Sequence, residues 1–255
     1  MRPQPDFEEA GVTFQRIIHL PGLDLEALCA GNPDHHSVIL VLHGLGVSKE
    51  VQLPELNRLR AEGFFAVAVD APHHGSRYDG LIDILEREKG HARHHLLLSI
   101  VLQHASEISQ LVLQLRQSGK KVCVNGISMG GHVAFALLRT ENRPDLIAPF
   151  ISTPDFRNRE TPGLLPASPA ETSGPADFPE QVFPASLFMV AAAQDSVVNP
   201  SAIRHFAEVL RPYYAETSPE KLEYHEYENS GHMMRPADWF DAWSRFIERL
   251  HLEGF

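Results

Sequence analysis

An α/β domain, with a mostly parallel sheet wrapped by helices on both faces, is the fold class this sequence predicts, and three observations predict it. Short apolar runs at 37–42, 64–69 and 186–193 are too brief for helices and lack polar alternation, as strands covered on both faces do. Segments with helical apolar spacing fall between such runs, so strand and helix alternate along the chain. Two strand-like stretches come first, joined by Pro21-Gly22, which reads as an antiparallel hairpin at the sheet edge.

Taken in order, the hairpin pairs 14–20 with 23–28, and the buried run 37–42 then ends at His43-Gly44-Leu45-Gly46. Val51, Leu53, Leu56 and Leu59 predict an amphipathic helix over 48–62, with Ser48 as N-cap and Gly63 as stop. The strand at 64–69 runs into Asp70-Ala71-Pro72-His73-His74-Gly75, where Pro and Gly halt either element. A long helix follows over 90–118, with Leu97, Ile100, Val101, Ile108, Leu111, Val112 and Leu115 on its apolar side.

A buried strand beginning at Lys121 leads through a sharp turn into a helix over 131–139. Leu146 to Ile151 is a candidate strand in which Pro149 points to an irregular or edge segment. Residues 152–184 carry Pro154, Pro162, Pro166, Pro169, Pro175, Pro179 and Pro184 with little periodicity, and are expected to form an inserted lid or rim. Beyond the strand at 186–193, Pro200 starts a helix to about 210. Alternation at 222–227 predicts a strand, and 236–250 an amphipathic helix.

At 255 residues, the chain suits a single domain over 1–255 with a sizeable core. A formal net charge of -11 would repel a phosphate backbone, which argues against a nucleic-acid partner. The N-terminal residues have no apolar stretch behind a basic start, and no apolar run reaches membrane-spanning length, so a cytoplasmic protein without a membrane partner is expected. Cys29 and Cys123, without a C-x-x-C pattern, read as reduced core thiols. Oligomeric state has no signature here.

The chemistry centres on Gly126-Ile127-Ser128-Met129-Gly130, a G-x-S-x-G pattern between a buried strand and a helix. Glycines on either side of so tight a turn let neighbouring backbone approach the serine. A serine hydroxyl is a poor nucleophile at neutral pH and needs a base, a group that orients the base, and donors for the developing oxyanion. Ser128, Asp195 and His232 follow one another along the chain, each in a loop after a predicted strand. Met129, at the start of the helix, is expected to give one oxyanion N–H and Leu45, in the glycine loop, the other. His91, His94 and His95 have helical spacing, but no carboxylate pattern completes a metal motif, so no metal or other cofactor is expected.

With these residues in view, the chain resembles the α/β-hydrolase superfamily over nearly its whole length, from His19 to Leu250. His43-Gly44-Leu45-Gly46, Lys49-Glu50, Asp70 to Gly75 and Gly126 to Gly131 look like small bacterial carboxylesterases related to the dienelactone hydrolase and prolyl oligopeptidase-type branches. The resemblance implies an α/β-hydrolase fold and a serine ester hydrolase acting on a small-molecule ester of short to medium acyl length. Serine at 128, instead of cysteine, speaks against dienelactone hydrolase chemistry proper. His73 and His74 fall where relatives carry a loop at the active-site mouth, which implies substrate contact or polar packing. Phe150, Phe156, Phe178 and Phe183 are candidates for an apolar acyl pocket or for loop packing. Thioesterases and peptidases use the same triad, and a ligand receptor with an idle triad is the rival from outside enzymes.

Overall fold

The computed structural model describes residues 13–157 and 173–255. Eight strands form one sheet: β1 (Thr13–Leu20), β2 (Leu23–Ala30), β3 (Ser37–Leu42), β4 (Ala66–Val69), β5 (Lys121–Ile127), β6 (Leu146–Phe150), β7 (Ser186–Ala192) and β8 (Leu222–Tyr227). Their order is β1-β2-β4-β3-β5-β6-β7-β8. The hairpin β1–β2 and the pair β2–β4 are antiparallel, and all remaining neighbours are parallel. This is the α/β-hydrolase fold with its N-terminal hairpin at one edge.

Six helices of the described residues cover the sheet: α1 (Leu53–Ala61), α2 (Leu81–Arg87), α3 (Gly90–Gln117), α4 (Met129–Ala136), α5 (Pro200–Tyr214) and α6 (Pro236–Leu252). Alternating strand residues feed two cores. Val38, Leu40, Val122, Val124, Leu187 and Met189 pack with α2, α3, α4 and α5. Ile39, Val41, Cys123, Phe188 and Val190 pack with Leu56 and Leu59 of α1 and with Trp243, Phe246 and Leu250 of α6. Both faces are therefore apolar, which is why these strands read as unbroken hydrophobic runs. Both cysteines are free and buried, as their sequence setting implied.

Several boundaries differ from expectation for identifiable reasons. Ser48 makes no side-chain cap bond; a 3₁₀ turn over Lys49–Gln52 comes first, and α1 begins at Leu53. Pro149 lies in the middle of the sheet, opposite Gly126, instead of at an edge. The register from β6 to β7 runs through Leu146, Ile147 and Phe150 and skips Ala148 and Pro149, so the missing proline N–H removes no ladder bond. Helix α5 continues past Pro212 to Tyr214, whose hydroxyl donates to the Ala185 carbonyl at 2.7 Å. Helix α2 has no counterpart in the sequence reading. By length and composition α3 could cross a membrane, with an 18-residue window of mean hydropathy 1.4, although Ser99, Gln103, His104, Ser106 and Glu107 interrupt its apolar run. Its Leu98, Ile100, Val101, Ile108, Leu111 and Val112 are buried against the sheet.

Of the expected lid at 152–184, residues 158–172 lie outside the described residues. The flanks are short 3₁₀ turns at Pro175–Asp177 and Pro179–Gln181, between β6 and β7.

Candidate active site

The parallel strands end on one side of the sheet, and the loops leaving β3, β5, β7 and β8 carry His43, Ser128, Asp195 and His232. Loops at the carboxyl ends of parallel strands are the usual place for binding groups in such sheets.

Ser128 occupies a turn that ordinary residues avoid, with φ 55° and ψ -113°. Its neighbours over-determine that conformation. The Ser128 N–H donates to the Phe150 carbonyl at 2.9 Å, and the Ser128 carbonyl accepts from the His132 N–H at 3.0 Å and from His132 Nδ1, also at 3.0 Å. The flanking glycines are steric necessities. A Cβ on Gly126 would lie 2.0 Å from the Gly130 oxygen, and one on Gly130 would lie 2.3 Å from the Leu42 oxygen. Helix α4 can therefore start directly against β3 and β5 only with glycine at both positions.

Ser128 Oγ lies 2.9 Å from His232 Nε2, and His232 Nδ1 lies 2.8 Å from Asp195 Oδ2. Since a carboxylate only accepts, Nδ1 carries the proton and Nε2 presents its lone pair to the serine hydroxyl. The Asp195 side chain is 3% exposed, and its other oxygen accepts from the Val197 and Val198 N–H groups at 2.8 and 2.9 Å. The Gln194 N–H donates to the Ser230 carbonyl at 2.9 Å, which ties the aspartate loop to the histidine loop. Buried Ser230 in turn donates its hydroxyl to Asp238 at the start of α6. The three residues separated by 67 and 37 positions in the chain are thus joined by two hydrogen bonds.

The glycine loop is set by a residue whose part the sequence reading missed. His43 is 1% exposed; its Nδ1 donates to the Gly44 carbonyl at 2.7 Å and its Nε2 accepts from the Ala71 N–H at 3.0 Å. Burial lowers its pKa to about 4, so the ring is neutral. In a trans peptide, C=O and N–H point in opposite directions. With the Gly44 carbonyl held by His43, the Leu45 N–H faces the other way. The loop lies against the serine: a Cβ on Gly44 would sit 3.6 Å from Ser128 Cβ. Leu45 and Met129 line the same cavity as Ser128 and His232. The Met129 N–H, in the first turn of α4, has no carbonyl four residues back within the helix.

Behind the glycine loop, Asp70 and Lys49 form a buried ion pair at 2.7 Å, 1% and 3% exposed. The Asp70 carboxylate also accepts from the Lys49 N–H at 2.8 Å and the Ser76 N–H at 2.9 Å. Burial alone would raise its pKa, but the Lys49 ammonium and these N–H groups outweigh burial and hold it below the usual carboxylate range. Gly75 crosses so close that a Cβ there would lie 2.2 Å from an Asp70 oxygen. The pair fastens the loop after β3 to the loop after β4.

His73 and His74 do not line the cavity, so of the two expected roles it is polar packing, not substrate contact, that describes them. His73 Nδ1 bonds Asp79 at 2.8 Å on the surface. His74 is buried, donates to the Pro72 carbonyl and packs against the His43 ring, with centroids 5.2 Å apart. Their loop turns inward to support the glycine loop instead of outward to the mouth. Of the four phenylalanines, only Phe156 reaches the cavity. Phe150 stacks edge-on with Trp239, Trp243 and Phe246, Phe178 lies beneath Arg139, and Phe183 packs on Tyr214. His94 does line the cavity, with Nε2 2.7 Å from the Phe156 carbonyl.

The cavity measures about 1190 Å³, larger than the roughly 300–1,000 Å³ usual for small-molecule sites. Leu97, Leu98, Val101, Ile151, Val198 and Met234 give it a largely apolar wall.

The sequence model of the alpha/beta hydrolase family matches residues 39–250. The chain is 24% identical to YitV of Bacillus subtilis (strain 168), provisionally named an esterase, over 82% of this chain and 91% of that one. Among solved structures, it is similar to TT1662 from Thermus thermophilus, with TM-score 0.73, 24% identity and coverage of 94% and 97% of the two chains. It is also similar to the Pyrococcus furiosus esterase Pf2001, with TM-score 0.66, 18% identity and coverage of 94% and 91%. At these identities the solved structures speak for the fold alone.

Proposed function

This chain belongs to the alpha/beta hydrolase family, and from that premise we propose that it is a serine hydrolase that cleaves carboxylic esters of short to medium acyl length through an acyl-enzyme. The observation that carries the proposal is the pair of hydrogen bonds linking Ser128 to His232 and His232 to Asp195.

Ser128 Oγ attacks the ester carbonyl carbon as His232 Nε2 takes its proton, and Asp195 stabilises the imidazolium that forms. The carbonyl oxygen becomes an oxyanion held by the Leu45 and Met129 N–H groups, with the positive end of α4 behind it. Collapse breaks the bond to the alcohol, which leaves with the proton from His232 Nε2. Water then gives a proton to His232, attacks the acyl carbon, and the carboxylic acid departs as Ser128 recovers its hydrogen. No step calls for a cofactor.

The apolar wall formed by Leu97, Leu98, Val101 and Phe156 supports an acyl chain of several carbons. Reaction with a fluorophosphonate, followed by peptide mass mapping, tests the reading. Stoichiometric modification of Ser128 is expected, together with turnover of p-nitrophenyl esters that peaks between acetyl and octanoyl. An unmodified Ser128 in a folded protein would overturn the proposal. Turnover that peaks on long triglycerides would replace the substrate class.

A further inference from the structure

On the cavity wall, a second set of polar groups has no part in the acyl-transfer steps. Gln52, Glu55 and Trp239 line the same cavity as Ser128 and His232. Gln52 is only 3% exposed, yet its carboxamide oxygen has no hydrogen-bond partner among the described residues. An unpartnered buried carbonyl oxygen is costly, and its partial negative charge suits an arriving cation, through an N–H or through the C–H groups that a quaternary ammonium polarises. One helical turn further on, Glu55 accepts from the Trp239 indole N–H at 3.1 Å. That neutral donor is its side-chain partner; no cation lies within ion-pair distance of Glu55 among the described residues.

The nearby cations keep other partners and none forms an ion pair with Glu55, although the Arg58 charge is felt there. Arg58 lies over the Phe240 ring, 4.2 Å from its centroid. Arg93 donates to the Leu85 carbonyl, and Arg157 pairs with Asp155 and Asp177. Burial raises the pKa of the Glu55 carboxyl; the Trp239 bond, the Glu55 backbone N–H and the Arg58 charge oppose that rise without cancelling it. Met233, Met234 and Val51 line the same cavity and suit methyl or methylene groups. A carboxylate beside an indole and soft apolar side chains is the chemistry that recognises an organic ammonium.

We infer that Gln52, Glu55 and Trp239 form a subsite for a positively charged ammonium substituent, so that the substrate class is esters carrying an alkylammonium group a few bonds from the scissile carbonyl. This rests on the esterase reading for its reaction, and on Glu55 for its selectivity.

The probes are butyrylcholine and its uncharged carbon isostere, 3,3-dimethylbutyl butyrate. The parent protein should show kcat/KM at least about tenfold higher for the charged ester, which corresponds to about 1.4 kcal/mol. Glu55→Gln keeps the acceptor for the Trp239 N–H and the side-chain size while removing the charge, and should bring the ratio towards one through a higher KM for butyrylcholine. Calorimetry of butyrylcholine with Ser128→Ala protein, with and without Glu55→Gln, reads the subsite without turnover. A parent ratio at or below one overturns the inference, and so does a ratio that Glu55→Gln leaves unmoved in a variant with native circular dichroism. Cleavage of the neutral isostere without ammonium preference would leave the esterase reading standing alone. Glu55-dependent binding of butyrylcholine without any ester cleavage would leave the subsite standing and remove the esterase reading.

Discussion

Replacing His43 with Phe probes how the glycine loop is held. The position is 1% exposed, and Phe preserves a planar ring there while deleting both nitrogens. The Gly44 carbonyl loses the Nδ1–H that holds it at 2.7 Å, and the Ala71 N–H loses the Nε2 lone pair at 3.0 Å. Freed of that restraint, the peptide between Gly44 and Leu45 can rotate, and the Leu45 N–H is no longer held in the direction that its proposed oxyanion role requires. Loss of one oxyanion donor costs about 10²–10³ in kcat, equivalent to about 2.7–4 kcal/mol. Because the bond strengthens in the transition state, KM should change far less than kcat. The two orphaned backbone groups should also lower stability by about 1–3 kcal/mol each, and the melting temperature by about 2–4 °C for every kcal/mol. The assay is steady-state hydrolysis of p-nitrophenyl butyrate beside a thermal melt. A folded variant with the parent kcat would refute the claim that His43 sets the Leu45 N–H.

Four further outcomes follow from the same geometry. Asp195→Asn should lower kcat by about 10⁴-fold, because the amide no longer enforces the His232 tautomer, and parallel kinetics with the parent check it. Lys49→Met strands the buried Asp70 carboxylate and should cost about 3–5 kcal/mol, read as a lower urea midpoint. Gly130→Ala places a Cβ about 2.3 Å from the Leu42 oxygen and should prevent accumulation of soluble protein in an expression trial. Buried His43 makes stability fall in acid: the unfolded chain binds a proton as pH drops through about 6.5, whereas the folded ring does so only near pH 4. Its contribution is complete above that upper value and is lost between the two, a difference on the order of 3 kcal/mol, with buried His74 and His104 shifted in the same direction. Urea midpoints at neutral pH and at about pH 5 should therefore diverge more for the parent than for His43→Phe.

Much of this architecture is legible in the sequence because burial on both sheet faces leaves an unmistakable pattern. Ser37–Leu42 is a strand without polar alternation, and its six residues are all buried. The Ser128 turn was legible for a related reason: only glycine tolerates the contacts at 126 and 130, so the geometry is written into residue type. Asp195 and His232 could be placed because loops after parallel strands converge on one side of the sheet. Pairings between distant loops leave no such trace. The Lys49–Asp70 pair joins residues 21 apart in the interior, and a lysine in sequence reads as surface. The same blindness left His73 and His74 open between substrate contact and polar packing, because histidine serves equally as a ligand-facing group and as a buried hydrogen-bonding wedge. Glu55 and Trp239, separated by 184 positions, meet only through the packing of α1 against α6. Pro149 misled through a rule about edges that a skipped ladder position satisfies equally well.

Acyl transfer through Ser128 is the claim on which the other roles depend. Its most direct test is the rate of p-nitrophenyl acetate hydrolysis by Ser128→Ala, prepared beside the parent and shown to have the same melting temperature. Removal of the nucleophile should reduce kcat by about 10⁴-fold to 10⁶-fold, leaving only the contribution of binding and the oxyanion donors. Hydrolysis by the alanine variant at the parent rate would contradict the mechanism.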